Sequence, residues 1–127
     1  MRSTGVRQSE RKSGSATSGL PTRSRYLAWI NFEPQAGREQ AQNRPALILT
    51  NREFNLDTGL LIACPITRTD RPFGSRVKLT GTETAGFVMV EQVKSVDWRV
   101  RGAAFIETAS PAVLQDVKLV LGAILDF

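Results

Sequence analysis

From position 26 onward the chain alternates between short apolar runs and polar, turn-rich gaps. LAWINF (27–32) is the first run, PALILT (45–50) and LLIACPI (60–66) are nearly continuous, and SRVKL (75–79), FVMVEQVKSV (87–96) and AAFIET (103–108) follow. Runs of this length, rich in β-branched and aromatic residues and bounded by Gly, Pro, Asn and Asp, predict strands, and their spacing predicts a small barrel or sandwich. NREFNLDTG, between the second and third runs, supplies strand-breaking residues. The period then changes. Ser110 suits a helix N-cap, Pro111 suits a first turn, and Val113, Leu114, Val117, Leu121 and Ile124 recur at helical spacing. One amphipathic helix therefore closes the chain, its apolar stripe laid on a sheet face. No internal repeat is visible.

The first 25 residues, MRSTGVRQSERKSGSATSGLPTRSR, hold almost no large apolar side chains and bury too little surface to offset ordering. They read as a disordered basic tail (1–25) ahead of a single domain (26–127). The tail lacks both the apolar stripe of an organelle transit helix and the hydrophobic region of a secretory signal. At 127 residues there is room for one modest core and no second catalytic domain. No apolar run approaches the ~18 residues of a membrane span, so a soluble protein is expected, and a lone cysteine fits the reducing cytoplasm best.

Charge changes this picture less than its total suggests. The formal net charge is +5, but Arg2, Arg7, Arg11, Lys12, Arg23 and Arg25 stand against Glu10 alone in the tail. The remainder is balanced, so only local clustering counts as evidence of an acidic partner. Cys64 is the only cysteine and histidine is absent. That excludes an intramolecular disulfide, makes a cysteine zinc site untenable and removes every mechanism that relies on imidazole. The chemistry left is that of carboxylates, guanidinium groups and hydroxyls, with no cofactor and no metal expected.

If PALILT and LLIACPI pair as an antiparallel hairpin around 51–59, the numbers of opposed residues sum to about 111 when no bulge intervenes. Arg44 then faces Thr67, both at the same end of the sheet. Pro45 fits this placement, since a residue before proline is held extended and proline is tolerated at the first position of a strand. A guanidinium beside a hydroxyl suits a phosphate and can stabilise the charge of a five-coordinate phosphorus without a metal. The alternative is an arginine capping a sheet edge and a threonine satisfying its own turn.

The preceding segment, FEPQAGREQAQNRP (32–45), is too polar and Gly/Pro-broken for core and carries Arg38, Glu39 and Gln40. It reads as a lip over a site. Glu39 is the nearest candidate base, although a free glutamate, with a pKa of about 4.3, needs burial to serve; a salt bridge to Arg44 or Arg38 is the structural alternative. In EQVKSVDWR (91–99), Gln92, Lys94 and Asp97 alternate with apolar residues as in a half-exposed strand, and Gln92 and Lys94 are candidates to meet bases or phosphates. Trp29 and Trp98 suit base stacking or, more commonly in a small domain, core or interface.

Taken together, WINFEPQAGREQAQNRPALILT, TGLLIACPIT and EQVKSVDWRVRGA resemble the MazF/PemK/Kid toxins. That family's pattern runs from an aromatic first strand through a Gly-x-Glu-Gln loop to Arg-Pro, then Pro-x-Thr, then Asp/Glu-Gln-x-Lys/Arg followed by Ser or Thr. The resemblance covers residues 27–127, with the three blocks in the family's order and spacing. It implies a mainly β (α+β) fold, an SH3-like antiparallel barrel of the CcdB/MazF type with a C-terminal helix. It also implies a homodimeric type II toxin that cleaves single-stranded RNA at short sequences and is neutralised by a MazE/PemI-like antitoxin. Operator DNA would be met only as the toxin–antitoxin complex, and no membrane is involved.

By position, Arg44 and Thr67 match the arginine and threonine the family uses at the scissile phosphate, and Glu39 matches a loop glutamate assigned to catalysis in some members. Glu91 sits where another branch uses an aspartate base, but that branch's paired arginine position is Met89 here, which ranks Glu91 second. Arg38, Gln40, Gln92 and Lys94 would hold the strand. The implied reaction is attack by the ribose 2′-hydroxyl, leaving a 2′,3′-cyclic phosphate and a 5′-hydroxyl. Arg25-Tyr26 replaces the family's usual Gly-Asp, and Asn31 stands where Asp is common, departures that bear on activity more than on fold. Competing readings are a CcdB-like gyrase inhibitor, whose Trp-Gly-Ile ending differs from Ile-Leu-Asp-Phe here, and a degenerate toxin that binds RNA without cutting it.

Overall fold

Strands form where the apolar runs predict them. In the computed structural model, which describes residues 23–32, 43–70 and 74–127, they are β1 (Tyr26–Asn31), β2 (Asn43–Ile48), β3 (Leu60–Thr67), β4 (Arg76–Lys78), β5 (Phe87–Met89), β6 (Lys94–Asp97) and β7 (Ala103–Thr108). All pairs are antiparallel, in the order β4-β5-β3-β2-β1-β7, with β6 also on β3. The expected tail lies outside the described residues except for Arg23–Arg25. Arg25 is already tied to the sheet, its N–H donating to Ile48 O at 3.0 Å and its carbonyl accepting from Ala109 N–H at 2.7 Å.

Two segments depart from the sequence reading. The strand-breaking stretch holds a helix, α1 (Arg52–Thr58), capped by the Asn51 side chain and ended by Gly59 in the left-handed conformation. The buried Asn55 staples it down. Asn55 Nδ2 donates to Thr50 O at 3.2 Å, Thr50 Oγ1 donates to Asn55 Oδ1 at 2.6 Å, and Thr50 Oγ1 accepts from Ile62 N–H at 3.1 Å. The second is the long run at 87–96, where a 3-10 turn at Val90–Gln92 separates β5 from β6. The break lets one segment serve two stretches of β3: β6 pairs with Leu60–Ala63 and β5 with Ile66–Thr67. A short helix, α2 (Trp98–Arg101), follows β6.

β2 and β3 pair in the expected register: Ala46 faces Pro65, Leu47 faces Cys64 and Ile48 faces Ala63. The Leu49 N–H donates to Ile62 O at 2.8 Å, and bonded pairs alternate along an antiparallel ladder, so Leu47–Cys64 is the next bonded pair and Pro45–Ile66 the one after. Pro45 has no N–H, and the ladder stops before it. The same alternation turns the Pro65 nitrogen toward the other edge, where β3 passes from β6 to β5 and no donor is required.

Both faces of the sheet are buried. On one, Leu27, Leu47, Cys64, Ile66 and Val88 pack with Val113 and Val117 of the C-terminal helix α3 (Pro111–Leu125). Ser110 caps α3, accepting from Val113 N–H, with Pro111 in the first turn, as the sequence predicts. On the other face lie Ala28, Ile30, Phe32, Ala46, Ile48, Leu61, Ala63 and Val96. The far ends of the curled sheet are clasped by Glu107 of β7, whose carboxylate accepts from Glu83 N–H (3.1 Å), Thr84 N–H (2.8 Å) and Thr84 Oγ1 (2.6 Å) in the β4–β5 loop.

Candidate active site

Arg44 lies on β2 opposite Ile30 of β1, and Thr67 ends β3 opposite Phe87 of β5. Carrying the β2–β3 register two residues past Ala46–Pro65 sets Arg44 across from Thr67 as a non-bonded pair, the kind whose side chains stand closer. The backbone bonds of each point outward, toward β1 and β5, leaving the space between them to side chains. By strand alternation both share the face of Ile30 and Ala46. The half-buried Arg44 guanidinium makes no hydrogen bond or ion pair among the described residues.

Thr67 is held from two sides. Its Oγ1 accepts from Thr69 N–H at 3.2 Å, which satisfies its own turn and leaves the hydroxyl proton to be donated. Gly86, at φ 139°, packs against its backbone, and a Cβ there would stand 2.5 Å from Thr67 O. Only glycine permits that approach.

Beside Thr67 the sequence reading missed Arg76. Its Nη1 donates to Thr69 O at 3.2 Å, bracing the loop that follows β3. Its Nε and Nη2 lie 3.1 and 2.9 Å from Glu91 Oε2, and Ser75 Oγ donates to Oε1 at 2.6 Å. Arg76 stands directly across from Met89 in the β4–β5 ladder, so a neighbouring strand supplies Glu91 with the guanidinium that position 89 lacks. Burial works to raise the Glu91 pKa, but the hydrogen bonds from Ser75 and Arg76 and the Arg76 charge outweigh it and hold the carboxyl below its ordinary value. Such a carboxylate is a poor proton acceptor.

Lys94 faces Ala63, on the Arg44–Thr67 face, and its ammonium lies 5.3 Å from the Phe32 ring centroid. Arg101, also missed, donates from Nη1 to Phe32 O at 2.7 Å. Phe32 immediately precedes the segment carrying Arg38, Glu39 and Gln40, and these two cations fix its root. Those three residues themselves lie outside the described residues. Gln92 is exposed on the 3-10 turn. Trp98 is structural, its Nε1 donating to Asn55 O at 2.9 Å, while Trp29 is about half exposed.

Among the described residues no group of three His, Cys, Asp or Glu side chains is placed to hold a metal ion, and no helix is long and apolar enough to cross a membrane. Burial first, and the Glu91 charge second, push the Cys64 thiol up to about 12, which makes it inert as a nucleophile. The arrangement therefore offers a guanidinium and a hydroxyl on one sheet face, with cations nearby, a geometry suited to holding a phosphodiester.

Comparison with known proteins identifies the family. Residues 25–125 match the family model described as PemK-like, MazF-like toxin of type II toxin-antitoxin system. The endoribonuclease toxin MazF of Escherichia coli strain K12 is 39% identical over 92 residues, covering 72% of this chain and 83% of that protein. Among solved structures, MazF of Deinococcus radiodurans superimposes with a TM-score of 0.76 at 37% identity, over 85% of this chain and 99% of that one. A MazE–MazF structure from the same organism gives a TM-score of 0.78 at 37% identity, over 85% and 98%. The chain belongs to the family of PemK-like, MazF-like toxins of type II toxin–antitoxin systems.

Proposed function

We propose that this toxin is a sequence-specific endoribonuclease that cleaves single-stranded RNA without a metal. The observation that carries the reading is the β2–β3 register, which, carried two residues past Ala46–Pro65, sets Arg44 across from Thr67 on one face, with the Arg44 guanidinium without a partner among the described residues. The 2′-hydroxyl adjoining the scissile bond attacks phosphorus, the bond to the 5′-oxygen breaks, and the products are a 2′,3′-cyclic phosphate and a 5′-hydroxyl. Arg44 stabilises the charge that builds on the non-bridging oxygens and serves as the candidate proton donor to the leaving oxygen. Thr67 orients the phosphate through its hydroxyl.

Glu39 acts as base or orienter, and Arg38, Gln40, Gln92 and Lys94 hold the strand. Glu91 is the less suitable base because its charge is already committed to Ser75 and Arg76. The protein works in the cytoplasm as a homodimer and is neutralised by a MazE/PemI-like antitoxin, with operator DNA met only in that complex. Residues 26–127 form the toxin domain, and the sequence ahead of it is a basic extension.

The test is incubation of the protein and its Arg44→Ala variant with a long mixed-sequence RNA in EDTA, mapping cuts and end groups. Discrete cuts bearing cyclic phosphate, lost in the variant, are expected. Intact RNA from a folded wild-type dimer would move the reading to gyrase inhibition or to a toxin that binds without cutting.

A further inference from the structure

At the end of β1 remote from Arg44, an open cleft of about 390 Å³ is lined by Arg23, Ser24, Arg25, Tyr26 and Thr108, a volume within the range of ligand sites. Tyr26 and Ile30, the residue opposite Arg44, are separated by four strand positions, roughly 13 Å.

Three observations mark this cleft. Arg25 adopts φ 73°, a left-handed conformation that costs an L-residue energy and that glycine occupies freely. The bonds to Ile48 O and from Ala109 N–H hold it there, and strain of this kind at a cleft points to use. Second, Tyr26 N–H donates to Arg23 O at 3.1 Å, closing a turn that carries both Arg23 and Arg25. Among the described residues no carboxylate pairs with either arginine, and Glu107, the neighbour of Thr108, is engaged with Glu83 and Thr84. Third, the Tyr26 ring meets Phe105 at 4.6 Å between centroids, and Phe105 is 51% exposed.

Two arginines lining one cleft, whose Tyr26 packs on an exposed aromatic ring, supply what single-stranded nucleic acid requires, charge for the backbone and a face for a base. We infer that this cleft is a second RNA-binding site, in which Arg23 and Arg25 take a backbone phosphate away from the scissile bond and Phe105 stacks on an adjoining base. The inference rests on the reading of the protein as an RNA-binding toxin and extends it to a site at the end of β1 remote from Arg44.

The test is binding of 2′-O-methyl RNA oligonucleotides, which lack the attacking hydroxyl, to the full chain over a range of salt concentrations. The Arg23→Ala/Arg25→Gly variant, in which glycine also relieves the strain, is expected to lower the slope of log affinity against log salt by about 0.7 to 1.4, at ~0.7 per phosphate contact. Phe105→Leu is expected to weaken binding at least about fivefold with the slope unchanged. Lys78→Ala/Lys118→Ala, with the same loss of charge at exposed positions elsewhere, should leave the slope near that of the wild type. An unchanged slope in the arginine variant, or an equal drop in the lysine variant, would overturn the inference.

Further arms separate the remaining cases. Inorganic phosphate shifting the Arg25 and Thr108 amide resonances, with the oligonucleotide leaving them unmoved, makes this a small-anion site and overturns the RNA assignment. A wild type that binds no oligonucleotide sinks this inference and the RNA reading together. A wild type that cuts no RNA but shows the slope change sinks only the catalytic reading.

Discussion

Arg76 holds Glu91 by two bonds to one carboxylate oxygen, Nη2 at 2.9 Å and Nε at 3.1 Å, across the turn that separates β5 from β6. The Arg76 side chain is largely shielded, at 8% exposure, whereas that of Glu91 keeps 26%. Glu91→Gln is expected to lower stability by about 1–2 kcal/mol while leaving most of the cleavage rate. The loss should depend on pH. Because the folded carboxyl titrates below its ordinary value, its contribution is full above the unfolded carboxylate pKa and disappears as pH falls through the folded one. Denaturant melts of both proteins at neutral and acid pH check this, converging curves at acid pH being the expected result.

Arg44 is expected to be irreplaceable by charge alone. Arg44→Ala should slow cleavage by about 10²–10³-fold, the usual loss when one donor to a transition-state oxyanion is removed. Arg44→Lys should lie nearer the alanine variant than the wild type, since an ammonium cannot present paired donors to a phosphate. Single-turnover rates on a defined RNA measure both.

Thr67 combines a structural and a chemical bond, and two substitutions separate them. Thr67→Ser keeps the acceptor for Thr69 N–H and the donor to phosphate, and should retain most activity. Thr67→Val keeps the shape but loses both, with stability falling by about 1 kcal/mol. Its cleavage should fall ten- to hundredfold, from the ~1.5–3 kcal/mol of a hydrogen bond to a charged group. Melts and rates on the same preparations distinguish the two effects.

Cys64, with its thiol pushed up to about 12, is expected to resist iodoacetamide at pH 8 and to become labelled in urea in step with unfolding. Mass spectrometry along the unfolding curve provides the check, and rapid labelling of the native protein would contradict the buried placement.

The hairpin that brings Arg44 to Thr67 was legible because Ala46–Ile48 and Ala63–Pro65 are continuous, bulge-free runs whose register follows from their ends. The helix Arg52–Thr58 was not, although Asn51 and Gly59 are standard helix punctuation. Phe54 and Leu56 give too little periodicity, and the helix depends on the Thr50–Asn55 staple. The turn at Val90–Gln92 was hidden because apolar residues continue across it, and only the need of β3 for two partners produces the break. The contacts of Arg76 and Arg101 were invisible because their partners, Glu91 and Phe32, are distant in sequence.

The strand order has a consequence for synthesis. β1, first to leave the ribosome, gains its second neighbour only when residues 103–108 arrive as β7, and the Glu107 clasp closes in the same step. A nascent chain that already carries Arg44 and Thr67 therefore still lacks the strand that completes the sheet beyond β1. The sheet closes only in the last part of synthesis, with the C-terminal helix alone still to follow.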